Sequence, residues 1–165
     1  MRLFPFGLGI AALTFVLDQL SKYLVRGLLV PDSWNTVYVL PVFNINHAWN
    51  YGVSFSLFTS LEEARRWALI AVALALCALV GWWLKSASTR LQAFAYGLVL
   101  GGALGNVCDR VIYGAVFDFL QFHLAGYYWP SFNLADSAIC VGVALLLWAG
   151  RPEGWFGQKQ DAESK

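Results

Sequence analysis

Four stretches of this chain stay apolar long enough to cross a bilayer, and that property constrains the fold more than any other. They run from Leu3 to Val30, Trp67 to Leu84, Leu91 to Tyr113 and Phe132 to Trp148. A hydrocarbon core of about 30 Å needs roughly 20 residues at 1.5 Å each. Composition agrees: 59% of the residues are hydrophobic and 13% are charged, about half the charge of a soluble domain. Arg2 ahead of the first run resembles a secretory signal, but the run is too long and has no small-x-small cleavage site, so we read it as a retained span. Trp67, Trp82, Trp83, Trp129 and Trp148 fall at span ends, where an indole prefers the headgroup layer.

Four spans put both termini on one side. Arg2, Lys85, Arg90, Arg151, Lys159 and Lys165 would share it, against Arg26, Arg65 and Arg66 with Lys22 and Arg110 close by on the other. This bias, with no Lys or Arg between Val111 and Gly150, favours cytoplasmic termini. The expected fold is an all-α membrane protein: four transmembrane helices with a small β-rich extracytoplasmic insertion, about Pro31 to Arg66, between helices 1 and 2. Residues 1–150 make one membrane domain and 151–165 a polar cytoplasmic tail. In the insertion Phe43, Ile45, His47 and Trp49, then Val53, Phe55 and Leu57, alternate at period two around Asn50-Tyr51-Gly52 and read as short strands. Leu61 to Arg66 starts a helix, with Ser60 as its cap and Glu62 and Glu63 in the first turn.

Against this background two acids stand out, because an intramembrane carboxylate costs about 2.5 to 3.5 kcal/mol on insertion scales. Asp109 lies about 18 residues, or roughly 27 Å, along an outward third span, one turn short of its end. Asp136 lies about one turn below the same surface on the returning fourth span, and Asp18 falls within a turn or two of that layer. Gly97, Gly101 and Gly105 form a small-xxx-small seam with Asp109 as its next member, which aims Asp109 at a helix interface. Asn106 lies on nearly the same face as Asp109, and Asn133 stands in the same relation to Asp136. Two readings follow. The acids share a proton as an aspartyl protease dyad, or each is neutralised separately, Asp109 by Arg110 or another cation and Asp136 by Asn133 and a helix start.

The remaining polar groups read more simply. Asp18 and Lys22 have the i, i+4 spacing of a helical ion pair; the sharper alternative makes Lys22 a base for Ser54 or Ser131. His47 and His123 give no metal or nucleophile pattern, and Cys77, Cys108 and Cys140 sit in three different spans as packing residues. Gly101-Gly102-Ala103-Leu104-Gly105 faintly suggests a nucleotide loop, but it follows no strand and packing explains it better. Asp118 is placed in the outer loop with a structural role. No cofactor or metal is expected, and a net charge of +1 with no basic cluster gives no sign of a nucleic-acid partner.

Taken in order, Asp18-Gln19-Leu20-Ser21-Lys22, Asn50-Tyr51-Gly52, Gly101 to Arg110 (GGALGNVCDR), Val116-Phe117-Asp118-Phe119 and Phe132 to Ile139 (FNLADSAI) resemble the motif set of the bacterial lipoprotein signal peptidase family, signal peptidase II. The resemblance covers nearly the whole chain. It implies a multi-pass aspartyl endopeptidase of the bacterial inner membrane, its active site near the outer face; a monomer is expected, though the sequence itself leaves the oligomeric state open. Such an enzyme removes the signal peptide from diacylglyceryl-modified prolipoproteins, cutting just before the lipidated cysteine. By motif position Asp109 and Asp136 would be catalytic, Asn106, Arg110, Asn133 and Ala135 would shape the site, and Asp18, Lys22, Asn50 and Gly52 would support it or contact substrate. An insertion rich in Trp34, Tyr38, Phe43 and Trp49 would clamp substrate against the bilayer. The rival readings are a proton-coupled carrier using Asp18, Asp109 and Asp136 as relays, disfavoured by the absence of a repeat and by the position of the acids near one face, and a structural subunit.

Overall fold

Helices surrounded by lipid gain little by hiding apolar side chains from it, so they associate where small residues let their backbones meet. The computed structural model describes residues 3–28, 36–52 and 60–150. These form, in order, α1 (Leu3–Leu28), β1 (Val37–Leu40), β2 (Phe43–Asn50), α2 (Ser60–Lys85), α3 (Arg90–Tyr113), β3 (Val116–Leu124), β4 (Tyr127–Tyr128) and α4 (Leu134–Ala149). Helices α1, α2 and α3 are long and apolar enough to cross a membrane, and α4 is a shorter apolar helix of 16 residues.

Helix α3 is the hub, packing on α1, α4 and α2, and its glycines explain how. A β-carbon on Gly97 would lie 2.6 Å from the Gly7 carbonyl oxygen, one on Gly101 would collide with the Ala11 carbonyl and lie 2.7 Å from Thr14 Cβ, and one on Gly105 would lie 2.5 Å from Asp18 Oδ2. The expected glycine seam therefore faces α1. A second row faces α4: a β-carbon on Gly102 would lie 2.5 Å from the Ala135 carbonyl, and Gly142 of α4 sits equally close to Ala95 and Val99. Asn106 is the next turn of the Gly102 row, as Asp109 is of the Gly105 row. The two polar residues thus leave α3 toward different neighbours.

The sheet differs from the sequence expectation. It is antiparallel, ordered β1-β2-β3-β4, and only half of it comes from the insertion between α1 and α2; β3 and β4 belong to the connection between α3 and α4. The all-α description is corrected accordingly. Val116–Leu124 carries the β-branched and aromatic residues of a strand, and it pairs with β2 from Phe43↔Phe122 to Asn50↔Val116 across a bulge between Ile45 and Ala48. The insertion also ends earlier than Arg66, since α2 runs unbroken from Ser60. Val53, Ser54, Phe55, Leu57, Trp34 and the tail after Gly150 lie outside the described residues.

Aromatic packing fastens the sheet to the end of the bundle where α1 and α3 finish. Trp49 lies 5.5 Å from Tyr113 and 5.4 Å from Phe117, ring centre to ring centre. His47 lies 4.9 Å from Phe117, and the Arg26 guanidinium sits 4.4 Å above the Tyr113 ring. Trp49 is therefore part of this joint and not a free clamp, while Tyr38 on β1 is exposed.

The two glycine environments give a paired test. Gly101→Ala should cost about 1–3 kcal/mol by forcing α3 from α1, lowering the thermal midpoint in detergent, whereas Gly9→Ala, which meets nothing within 4 Å, should leave it unchanged or slightly raised.

Candidate active site

At the sheet end of the bundle three carboxylates and one ammonium group are almost completely buried: Asp18, Asp109, Asp118 and Lys22, none more than 2% exposed. Buried charges persist only when paired, and the pairing divides them into two groups.

The first group centres on Lys22. Its Nζ lies 2.8 Å from Asp18 Oδ2 and 2.8 Å from Asp109 Oδ2, and its third hydrogen goes to Asn106 Oδ1 at 3.3 Å. The expected i, i+4 pair is present, with Asp109 added across the α1–α3 interface. Asp109 is otherwise saturated: Oδ1 accepts from Gln19 Nε2 at 3.0 Å and Oδ2 from the Phe117 backbone N–H at 3.1 Å. Asp18 Oδ1 accepts from the Ala135 N–H at 2.9 Å, tying α1 to the start of α4. Ala135 is fully buried in the narrow gap left by Gly102 and Gly105. Ser131 is paired with Asn46 and Lys22 with Asp18, Asp109 and Asn106, so the two do not pair with each other; Ser54, the other serine considered, lies outside the described residues.

The second group is Asp118 on β3 and Asp136 in the first turn of α4, joined by Asn133. Asn133 caps α4: its Oδ1 accepts from the Asp136 N–H at 2.9 Å while its own N–H donates to Asp136 Oδ2 at 3.2 Å, a reciprocal capping box. Its Nδ2 then donates to Asp118 Oδ1 at 2.7 Å. Asn106 Nδ2 donates to Asp136 Oδ1 at 2.7 Å, and Asn50 Nδ2 to Asp118 Oδ2 at 3.0 Å. Asn50 is set by a tight turn in which the Gly52 N–H donates to Asn50 Oδ1 at 2.9 Å. Gly52 has φ +88° and stands against Leu69, which accounts for glycine there. All four oxygens of the two acids thus accept an N–H.

Burial pushes the Asp118 carboxyl up to about 6, and the charge of Asp136 pushes the same way, against the hydrogen bonds from Asn50 and Asn133 and the charge of Lys22. A raised carboxyl beside a second carboxyl in a cleft makes the two a candidate pair. Sequence reasoning missed Asp118 because it saw a loop where the structure has a strand; the Val-Phe-Asp-Phe run was the available signal. Arg110 donates to the Asn106 carbonyl at 3.2 Å, and its electrostatic neighbours are Asp136, Asp118 and Asp109.

Two cavities meet these residues. A polar one of about 330 Å³ is lined by Trp49, Asn50, Gly52, Asp118, Pro130 and Ser131. An apolar one of about 230 Å³ between α2, α3 and α4 is walled by Leu76, Val80, Leu100 and Ile139 and reaches Asn106 and Arg110. His47 packs at a tilt against Phe117, and His123 is bonded to Asn44 and stacked on Tyr128. The three cysteines are free thiols.

Comparison with known proteins shows the family. The family model described as signal peptidase (SPase) II matches residues 10–150. A lipoprotein signal peptidase of Alteromonas mediterranea is 44% identical over 142 residues, covering 85% of this chain and 77% of that protein. One from Vibrio cholerae is 37% identical over 160 residues, covering 96% and 91%. Two bacterial membrane enzymes solved by the in meso method superpose with TM-scores of 0.74 and 0.75 at 25% and 26% identity, covering 98% and 88% of this chain and 95% and 92% of theirs. With its apolar helices and this breadth of match, the chain is a membrane protease and belongs to the signal peptidase II family.

Proposed function

We propose that this protein is an aspartyl endopeptidase of the bacterial cytoplasmic membrane, with Asp118 and Asp136 as the reacting pair. It removes the signal peptide from diacylglyceryl-modified prolipoproteins just before the lipidated cysteine. The observation that carries the choice of acids is Asn133, which hydrogen-bonds both Asp118 and Asp136. Asp109, the acid that sequence spacing joined to Asp136, has both oxygens taken by Lys22, Gln19 and Phe117 and is read as the anchor of α1 on α3. The glycine seam faces α1, so the residue continuing it meets Lys22 there.

In the proposed reaction a water lies between the two carboxyl groups. The ionised acid takes a proton from the water as its oxygen attacks the scissile carbonyl, and the protonated acid gives its proton to the carbonyl oxygen. The gem-diol then collapses, a proton passes to the leaving amide nitrogen, and the C–N bond breaks.

The substrate follows from the relatives' name, lipoprotein signal peptidase, and is supported by the two cavities. An apolar slot among the helices, lined in part by Asn106, suits lipid or signal-peptide side chains, a polar cleft lined in part by Asp118 suits the peptide beyond the cut, and Asn106 is bonded to Asp136. Cationic residues around the termini support cytoplasmic ends and a site near the outer face.

Asp118→Asn and Asp136→Asn should each lower cleavage of a lipidated precursor in detergent by a factor of about 10² to 10⁴ at unchanged membrane abundance. Asp109→Asn should instead destabilise first, since breaking a buried pair costs about 3–5 kcal/mol. Near-normal turnover by Asp118→Asn, alongside a folded but inactive Asp109→Asn, would return Asp109 to the pair.

The raised Asp118 carboxyl also makes stability depend on pH. The folded state holds this proton more tightly than the unfolded chain, so the contribution is fully present below pH 3.8 and is lost as pH rises through about 6, about 3 kcal/mol across the window. Thermal unfolding at pH 4.5, 6 and 7.5 should show that decline in the wild-type protein and a weaker one in Asp118→Asn.

A further inference from the structure

We propose that Lys22 is a positioning residue for the reaction: its ammonium group fixes the Asn106 amide with the oxygen turned inward, so that Asn106 can only donate to Asp136 and keeps that aspartate the proton-free member of the pair. The inference rests on the reading of Asp118 and Asp136 as the reacting acids.

The two ends of an asparagine amide have nearly the same shape, and only their partners decide which way it points. Lys22 Nζ is a pure donor, so the Asn106 atom 3.3 Å from it must be oxygen. Asn133 Nδ2 donates to the same oxygen at 3.1 Å. Asn106 Nδ2 is thereby aimed at Asp136 Oδ1, 2.7 Å away. Reversing the amide would set its NH₂ against the ammonium group and against Asn133 Nδ2. It would also face oxygen to oxygen with Asp136, a contact that needs a proton on Asp136. Amide orientation and the charge of Asp136 are therefore one variable, and Lys22 sets it without touching substrate.

The neighbouring asparagines are fixed in the same manner by obligate backbone donors, Asn133 by the Asp136 N–H and Asn50 by the Gly52 N–H. Asp136 lies in the first turn of α4, at the positive end of the helix dipole, with Arg110 nearby. Asp118 is the more buried acid and lies on a strand. The charged and titratable groups around Asp136 are Asp118 on β3, Arg110 and Asp109 on α3, and Asp18 and Lys22 on α1. His47 on β2 packs at a tilt against Phe117, and Arg66 on α2 is turned to the Val111 carbonyl.

If Lys22 were only a counter-ion for Asp18 and Asp109, its removal together with one of those charges would leave the pH dependence of cleavage unchanged. The double variant Lys22→Met/Asp109→Asn removes one cation and one anion, keeping the net buried charge. Single-turnover cleavage of a lipidated precursor in detergent, measured from pH 5 to 9, should show its acid limb displaced upward by at least one pH unit. At pH 7 the rate should fall at least tenfold with little change in KM. Asn106→Asp, which retains Lys22 and both its ion pairs, should displace the acid limb in the same direction, because an acid facing Asp136 must share a proton with it. It decides the matter if the double variant does not fold. An unmoved acid limb, or a loss equal at every pH, in either folded variant would reduce Lys22 to a structural counter-ion. Turnover by Asp118→Asn or Asp136→Asn would instead remove the pair itself, whatever the Lys22 variants do.

Discussion

A fully buried lysine with three donors and three acceptors holds this molecule in register. Lys22 meets Asp18 one turn away on its own helix, Asp109 on α3, and Asn106 on α3. Desolvating such groups is expensive, and their attraction offsets the cost only when every proton and lone pair is used. That condition requires α1 and α3 to approach closely, which the glycines at 97, 101 and 105 permit. Asp18 extends the network to the Ala135 N–H, so one cation fixes the start of α4 relative to α1 through a single carboxylate.

Much of this was legible in the sequence. Apolar length predicted the helices to within a few residues, because lipid leaves a backbone few alternatives. The i, i+4 spacing predicted the Asp18–Lys22 pair, and the Asn133–Asp136 relation became a capping box. What failed was direction. Spacing along α3 shows which residues share a face but not which neighbour that face meets, so Asp109 was joined to Asp136 when the seam leads to α1. Asn106, read as a partner for Asp109, belongs to the row that meets α4. The sheet was half seen: the period-two pattern of Phe43 to Trp49 was read, whereas Val116 to Leu124 was hidden by its position between two spans. Its pairing with β2 joins segments about 70 residues apart, which no local pattern contains.

The division of labour between the two layers has a physical basis. Asp136 lies at a helix N-terminus, where backbone N–H groups and a dipole favour an anion. Asp118 lies almost fully buried on a strand, where burial raises its carboxyl. In the proposed pair two identical side chains thus stand in different surroundings, one at a helix start and the other on a strand.

The cap of α4 carries one more consequence. Asn133 begins the helix with one end of its amide and reaches Asp118 with the other, so its orientation is settled only once that first turn has wound and the sheet has closed over it. A chain halfway through insertion, with α4 still uncoiled at its start, has neither acid correctly addressed. In the proposed reading, cleavage therefore depends on the wound first turn of α4 and the closed sheet together, because one asparagine amide needs both to be held.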